Sequence, residues 1–186
     1  MKWLALCASL ALAQESQDVP AADVLKPGLV GHYWNVGKEM KSFPADLEIE
    51  SASARRIDGM IDFDLKDGRG FKNIPWKEHV AVIWKGFLRC PTDADYVFTL
   101  DSSDGSKLYL DGKLVLDHDG THPPREVGVK TVTLTSGDHE MRLEYYHNAE
   151  AAHLSLSWNY ADMEKHVIPS TAFWHRFEKG LVLEAK

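Results

Sequence analysis

The feature that most constrains the fold is a two-residue Asp-Gly step between two alternating runs. In "KLYLDGKLVL", Asp111 and Gly112 separate two short stretches in which apolar and polar residues alternate. A two-residue turn between antiparallel strands needs positive φ at both central positions, and Asp-Gly supplies this at little steric cost. The stretch therefore predicts a β-hairpin that turns at Asp111-Gly112.

The same alternation recurs along most of the chain. "YVFTL", "HEMRLEYYH" and "HLSLSW" each place apolar side chains on one face, and turn residues separate them about every ten positions. Short alternating strands with regular turns are typical of an antiparallel sandwich. We expect a jelly-roll-like antiparallel β-sandwich with ligand loops at one end. The residues expected to face its core are Phe98, Leu100, Leu108, Leu110, Leu143, Leu154, Leu156 and Trp158.

The first residues have the composition of an export signal. "MKWLALCASLALA" has a positive start, a short apolar stretch and a small-residue cleavage site. We expect a signal peptide over 1–13, a linker over 14–27, a β-sandwich domain over 28–170 and a C-terminal extension over 171–186. The mature protein should then be periplasmic or extracellular. No later stretch is long enough to span a membrane.

Charge and cysteine content exclude some classes of function. The 186-residue chain carries a formal net charge of -7 and has no basic run, which argues against a binder of nucleic-acid phosphates. Cys90 would be the only cysteine after removal of the signal peptide, so no internal disulfide is expected. It ends an apolar run beside Pro91, which predicts a buried, unreactive thiol.

Three loops are richer in oxygen atoms than turning the chain requires. They are "DSSDGS", "DHDGTH" and "HNAEA", and each follows a predicted strand. Ca²⁺ takes about six to eight oxygen ligands from carboxylates, carbonyls and amides. If these loops converge, their surplus Asp, Ser and Asn side chains predict a cation site. A plain reading, in which Asp104-Gly105 only turns the chain, stays open at this point.

Two long segments carry a family resemblance. They are "WKGFLRCPTDADYVFTLDSSDGSKLYLDGKLVLD" and "VTLTSGDHEMRLEYYHNAEAAHLSLSW". Their ordered elements resemble the anthrax protective-antigen fourteen-kilodalton domain family over roughly Gly28 to Pro169. The resemblance implies an exported β-sandwich that serves as an accessory binding module rather than a catalyst. It also implies a glycan or polysaccharide ligand, which several members bind.

The resemblance suggests particular ligand residues. Calcium-dependent adhesins of this family grip the ion with two successive aspartates, which match Ser103 and Asp104, and with an asparagine, which matches Asn148. The resemblance thus implies a Ca²⁺ cofactor held by Asp104, Ser103 and Asn148, and we expect Asp101 to compensate for the carboxylate that Ser103 lacks. Because Ser103 replaces a carboxylate, the expected calcium affinity is modest.

Other residues of the loops are expected to touch the ligand. Asp117, Asp119 and His122 belong to the second loop, and Trp76 beside Pro75 could stack on a sugar ring. His118 and His122 have the spacing of metal ligands on a helix, but their segment contains two prolines and is a loop, so it offers a transition metal no fixed scaffold.

No enzyme is predicted, because the sequence contains none of the common catalytic motifs. The alternative to a secreted carbohydrate-binding module is a non-sugar protein-interaction or cell-envelope structural module. Its partners would be enzymes or envelope proteins.

Overall fold

The computed structural model describes residues 24–65, 71–149 and 152–177, and all structural statements concern these residues. The expected signal peptide and most of the expected linker lie outside them, as do the last residues of the C-terminal extension. The described chain forms thirteen β-strands and two 3₁₀ turns, Ile49–Ser51 and Ser170–Ala172. None of its helices is long and apolar enough to cross a membrane.

Most strands follow one another with short connections, but long segments separate β2 from β3 and β4 from β5. In chain order they are β1 (Leu25–Pro27), β2 (Leu29–Asn35), β3 (Ala54–Asp58), β4 (Asp62–Leu65), β5 (Val80–Cys90), β6 (Ala94–Ser102), β7 (Ser106–Leu110), β8 (Lys113–His118), β9 (Arg125–Leu134), β10 (Gly137–His147), β11 (Ala152–Tyr160), β12 (His166–Val167) and β13 (Phe173–Arg176).

The strands form two antiparallel sheets. Sheet A has eight strands in the order β1-β13-β5-β10-β7-β8, and β2 pairs with both β5 and β3. Sheet B has five strands in the order β12-β11-β6-β9, with β4 paired to β11. The predicted antiparallel β-sandwich is confirmed. Strand β1 pairs with β13, so segments outside the expected 28–170 boundaries also contribute strands to the sheet.

The core between the sheets consists of the alternating apolar residues. All eight predicted core residues are at most 2% exposed. The tryptophans Trp34, Trp84 and Trp158 are buried as well. Because side chains alternate across a strand, the same strands present their polar residues to the outer faces.

The predicted hairpin is present. Leu110 pairs with Lys113 across the turn, and Asp111 and Gly112 have φ values of 48° and 73°. Positive φ at both positions matches the turn that Asp-Gly favours between twisted strands. Asp111 also accepts a hydrogen bond from the backbone N–H of Glu140 at 2.9 Å, which ties the turn to β10.

A buried ionic network lies at the edge of the core. The carboxylate of Asp58 accepts hydrogen bonds from the Tyr33 hydroxyl at 2.6 Å and the Trp84 indole at 2.7 Å. The Arg56 guanidinium donates to the same carboxylate from Nε at 2.7 Å and lies over the Phe71 ring. A buried carboxylate is tolerated only when its charge and lone pairs are matched, as they are here.

Candidate functional site at the loop end

The three oxygen-rich loops meet at one end of the sandwich. They connect β6 to β7, β8 to β9 and β10 to β11, and a fourth loop, residues 36–53, connects β2 to β3. We call this region the loop end. The opposite end carries the Asp111-Gly112 turn and the β5–β6 and β9–β10 connections. Each of the three predicted loops crosses from one sheet to the other at this same end, so the convergence follows from the strand order.

Asp104 lies at the centre of the loop end. Its backbone has φ of 59°, in the left-handed region that Asp tolerates better than most residues. Ser102 Oγ supports this turn by donating to the Asp104 carbonyl at 3.0 Å, and it lies 2.9 Å from Ser106 Oγ. The side chain of Asp104 is only 8% exposed, although it is a carboxylate at the end of a strand.

The carboxylate of Asp104 joins the other two predicted loops. Its Oδ1 accepts the backbone N–H of His122 at 3.2 Å, and its Oδ2 accepts the backbone N–H of Asn148 at 2.9 Å. The Asp104 N–H in turn donates to the His122 carbonyl at 2.9 Å. Hydrogen bonds to an ionised acceptor are stronger than neutral ones. Asp104 therefore holds three loops in one arrangement.

The fourth loop was not predicted as part of the site. Asn148 pairs with the backbone of Met40, accepting its N–H and donating to its carbonyl, both at 2.8 Å. Thr121 Oγ1 donates to the same carbonyl at 2.9 Å, and Asp119 Oδ1 accepts the Phe43 N–H at 2.9 Å. The only sequence signal is the presence of Met40 and Phe43 in a polar stretch. Both side chains are buried in a second apolar cluster on the outer face of sheet A.

Asp119 connects this network to sheet A. Its Oδ2 lies 2.7 Å from Lys107 Nζ on β7. Burial is the largest single influence and lowers the pKa of Lys107, but the hydrogen bond to Asp119 and the charges of Asp119 and Asp117 together raise it above its usual value. Gly105 packs beneath the pair, where an added Cβ would lie 2.3 Å from Tyr146 Cε1 and 2.5 Å from Asp119 Oδ1. Only glycine fits there without a shift.

Ser103 and Asp101 face a different neighbour from Asp104. Ser103 is 6% exposed, and its Oγ accepts the His153 N–H at 2.8 Å and lies 3.4 Å from the Tyr145 hydroxyl. Asp101 extends from β6 toward the His153 ring, with 3.4 Å between Oδ2 and Nε2. Its buried Oδ1 has no hydrogen-bond partner. Of the four predicted metal ligands, the network therefore brings together Asp104 and Asn148.

The loop oxygens already accept hydrogen bonds within the chain. This holds for both carboxylate oxygens of Asp104, for Oδ1 of Asp119 and for the amide oxygen of Asn148, and Oδ2 of Asp119 is paired with Lys107. A carboxylate oxygen has a second lone-pair direction, so Asp104 keeps capacity for an ion. The Ser103 hydroxyl is directed away from the Asp104 network, toward the His153 N–H and the Tyr145 hydroxyl. Over the described residues, no group of three or more His, Cys, Asp and Glu side chains is arranged to hold a metal.

The two histidines of the second loop pack against each other with their rings tilted by 40°. The rings of His118 and His122 have centroids 4.1 Å apart. Their nitrogens face backbone carbonyls, including His122 Nδ1 to Pro123 at 3.0 Å and His118 Nε2 to Arg125 at 3.3 Å. Burial and the neighbouring His122 lower the pKa of His118. The pair acts as packing for the loop, with its nitrogens directed to the backbone.

The remaining predicted ligand residues lie in two places. Asp117 is exposed at the end of β8, and its Oδ1 accepts the Asp119 N–H at 3.1 Å. Trp76 is half-buried and packs against the main core. The loop end therefore presents a polar surface around Asp117, Asp119, Thr121 and Asn148, on a fixed backbone.

Comparison with known proteins agrees with this architecture. The sequence model of the PA14 domain family matches residues 25–172. The anti-sigma-I factor RsgI3 of Acetivibrio thermocellus is 26% identical over 147 residues, which is 79% of this chain and 21% of that protein. The chain thus spans about a fifth of this curated relative.

Solved structures include several with the same fold. An anti-sigma factor domain-containing protein from Clostridium clariflavum superposes with a TM-score of 0.64 and 26% identity, over 80% of this chain and 48% of that one. A PA14 domain described as that of the MpAFP antifreeze protein gives 0.69 at 16% identity, covering 86% and 96% of the two chains. A PA14 domain from an RTX adhesin, described as sugar-binding, gives 0.65 at 20% identity, covering 80% and 98%.

Proposed function

This chain belongs to the PA14 domain family, and from that premise we propose that it is a non-catalytic module that binds carbohydrate at the loop end. The observation that carries the proposal is the Asp104 carboxylate, which holds the backbone of two other loops in place. Sugar recognition needs polar groups at fixed positions, because ordering a loose loop on binding weakens affinity. The loop end meets this requirement before any ligand arrives.

The groups available to a sugar lie around this anchor. Asp117 and Thr121 are exposed, while Asp119 and Asn148 are partly accessible. Together they offer carboxylate acceptors, an amide and a hydroxyl, which suit the paired donors and acceptors of sugar hydroxyls. The other PA14 domain noted above as sugar-binding has the same fold, which is consistent with this use of the loop end.

Calcium is a second part of the proposal. The ion would use the Asp104 carboxylate, the side chain to which both other loops are attached, together with oxygens of the same loops. Its role would be to offer open coordination positions to vicinal sugar hydroxyls. Ser103 and Asp101 support it less, because their oxygens face His153. We therefore expect weak calcium binding.

The relatives suggest a role for the whole protein. Two matches at 25–26% identity are parts of longer anti-sigma factor proteins. We propose that the domain is the ligand-sensing part of an exported or cell-envelope protein, and that partner proteins respond to its ligand binding. The competing function is a protein-interaction module that uses the same loop end and binds no sugar.

A glycan array with the purified chain tests the proposal. It is read with Ca²⁺ and again with a chelator, for wild type and for Asp117→Ala/Thr121→Ala. Thr135→Val, on the opposite end, is the matched control. We expect glycan retention that the double variant loses and the control keeps, with a smaller loss in chelator. Retention by the double variant at the wild-type level would remove the loop end as the site, and no retention of any glycan would favour the protein-interaction function.

A further inference from the structure

A second concave surface lies on the outer face of sheet A, away from the loop end. It is a groove of about 860 Å³ between the 49–55 segment and strands β2, β5, β10 and β7. We call it the sheet-face groove. A volume of this size is typical of ligand sites. Neither the sequence patterns nor the loop-end site accounts for it.

The groove exists because the 36–53 loop covers only part of this face. Its Met40 and Phe43 bury the outward side chains Trp34, Ile83 and Tyr146 near the loop end. Further along the same strands Lys85 and Glu140 are exposed, while Val30 and His32, which also line the groove, are buried. The Ile49–Ser51 turn forms one wall, with Ile49 and Glu50 lining the groove.

The floor of the groove places two cations directly opposite each other. In the strand register, Lys85 of β5 pairs with Arg142 of β10, and Arg142 pairs with Tyr109 of β7. Like charges directly opposite on neighbouring strands destabilise a sheet. Because this pairing of Lys85 with Arg142 lowers the stability of the sheet, we look for a functional reason for it.

Only one of these cations is neutralised within the chain. Arg142 binds Glu144 through Nε at 2.9 Å and Nη2 at 2.6 Å. Lys85 is exposed and forms none of the ion pairs found among the described residues. Arg55, also exposed, lines the same groove and donates to the Ile49 carbonyl at 3.2 Å. Among the described residues, neither Lys85 nor Arg55 forms an ion pair with a carboxylate.

The fixed part of the floor suits a sugar ring. Glu144 is 7% exposed and is held by Arg142, and its Oε2 lies 3.5 Å from the Tyr109 hydroxyl. The half-buried Tyr109 ring presents an apolar face beside these polar groups. Aromatic faces next to ordered hydrogen-bonding groups favour ligands with one apolar and one polar side.

We propose that the sheet-face groove binds an extended acidic glycan, a sugar chain whose carboxylates reach Lys85 and Arg55 while a ring lies on Tyr109. Although the chain has a net charge of -7, two cations with no ion-pair partner among the described residues line this one groove. Glu50 and Glu140 on the rim disfavour a continuous polyanion such as nucleic acid. The inference rests on the proposed carbohydrate-binding function and adds a second site with its own ligand class.

Calorimetry with two matched hexasaccharides tests this. An oligomannuronate carries the carboxylates, and mannohexaose is its neutral counterpart. The variants are Lys85→Gln and Arg55→Gln. Lys165→Gln is the control, since it removes the same charge from an exposed pair with Glu126 outside the groove. We expect wild type to prefer the oligomannuronate, each groove variant to lose about tenfold in affinity, and the control to be unchanged. Added salt should weaken only the acidic ligand.

Three outcomes would overturn the inference. They are equal affinity for both hexasaccharides, wild-type affinity in Lys85→Gln and Arg55→Gln, and no binding of the oligomannuronate. Calorimetry on the loop-end variant Asp117→Ala/Thr121→Ala distinguishes binding at the groove from binding at the loop end. If that variant loses neutral glycans but keeps the oligomannuronate, both proposals stand. If it loses the oligomannuronate while Lys85→Gln keeps it, the acidic ligand belongs to the loop end and the groove proposal fails.

Discussion

The carboxylate of Asp104 accepts the backbone N–H of Asn148 at 2.9 Å, across 44 residues of sequence. Its other oxygen accepts the N–H of His122, so one side chain links three loops that cross between the two sheets. The loop end is therefore ordered by a carboxylate that the chain itself supplies.

Replacing Asp104 should destabilise the protein. Asp104→Ala leaves the N–H groups of His122 and Asn148 without their acceptor, and it places a β-carbon without a polar group at φ of 59°. We expect a loss of about 2–4 kcal/mol in the free energy of unfolding, measured with urea. Asp104→Asn, which keeps one acceptor oxygen and tolerates this φ, should lose less than half as much. Equal stability of Asp104→Ala and wild type would contradict the anchoring role.

Gly105 should not tolerate a methyl group. In Gly105→Ala the new Cβ would lie 2.3 Å from Tyr146 Cε1 and 2.5 Å from Asp119 Oδ1, so the loop must shift. We expect a loss of about 1–3 kcal/mol and weaker glycan retention. Gly59→Ala is the control, because nothing lies within 4 Å of its added Cβ. Thermal unfolding that shows the same melting temperature for both variants would speak against this packing.

Ser103→Asp tests the calcium part of the proposal. Ser103 is buried, with its hydroxyl against the His153 N–H and near Tyr145. A carboxylate placed there loses hydration, so we expect a cost of about 1–3 kcal/mol in chelator. The same change at Ser157, on the outer face of sheet B, should cost less than about 0.5 kcal/mol. If Ca²⁺ raises the melting temperature of Ser103→Asp above that of wild type, the carboxylate at position 103 governs calcium binding. No response to Ca²⁺ in either protein would remove the ion from the mechanism.

Cys90 should react slowly with thiol reagents. It is 1% exposed, and burial raises its pKa to about 11, so little thiolate is present at neutral pH. In a Cys7→Ser background, labelling of the native protein should be at least about a hundredfold slower than labelling in denaturant. A reducing agent should leave the melting temperature unchanged. Native labelling at the denatured rate would show that the thiol is accessible.

Stability should fall between about pH 7 and pH 5. Burial lowers the pKa of His147, and His79 lowers it further, against the hydrogen bond to Ala149 and the charge of Asp104. Below about pH 6.5 the unfolded chain therefore binds more protons than the native one. The contribution of neutral His147 to the free energy of unfolding is fully present above that pH and is lost as the pH falls. Urea unfolding at both pH values should show this slope. His147→Gln should flatten it; an unchanged slope would assign the effect to other groups.

The sequence by itself determined the sandwich, its turn at Asp111-Gly112 and the inward set of apolar residues. These depend on alternation and on the φ requirements of a two-residue turn, which are local properties. It also indicated the three polar loops, because each is a polar stretch that follows a predicted strand. Two of the predicted ligands, Asp104 and Asn148, are indeed in one network.

Only the tertiary structure decided the rest. Pairing of Asn148 with Met40, burial of Ser103 against His153, and the approach of Lys85 to Arg142 each depend on strand register. A shift of one residue in that register would move every side chain to the other face. No local sequence pattern contains this information. The same polar residue in a loop can direct its oxygen to a ligand or to a backbone N–H. The direction of each side chain is set when the two sheets close over their core.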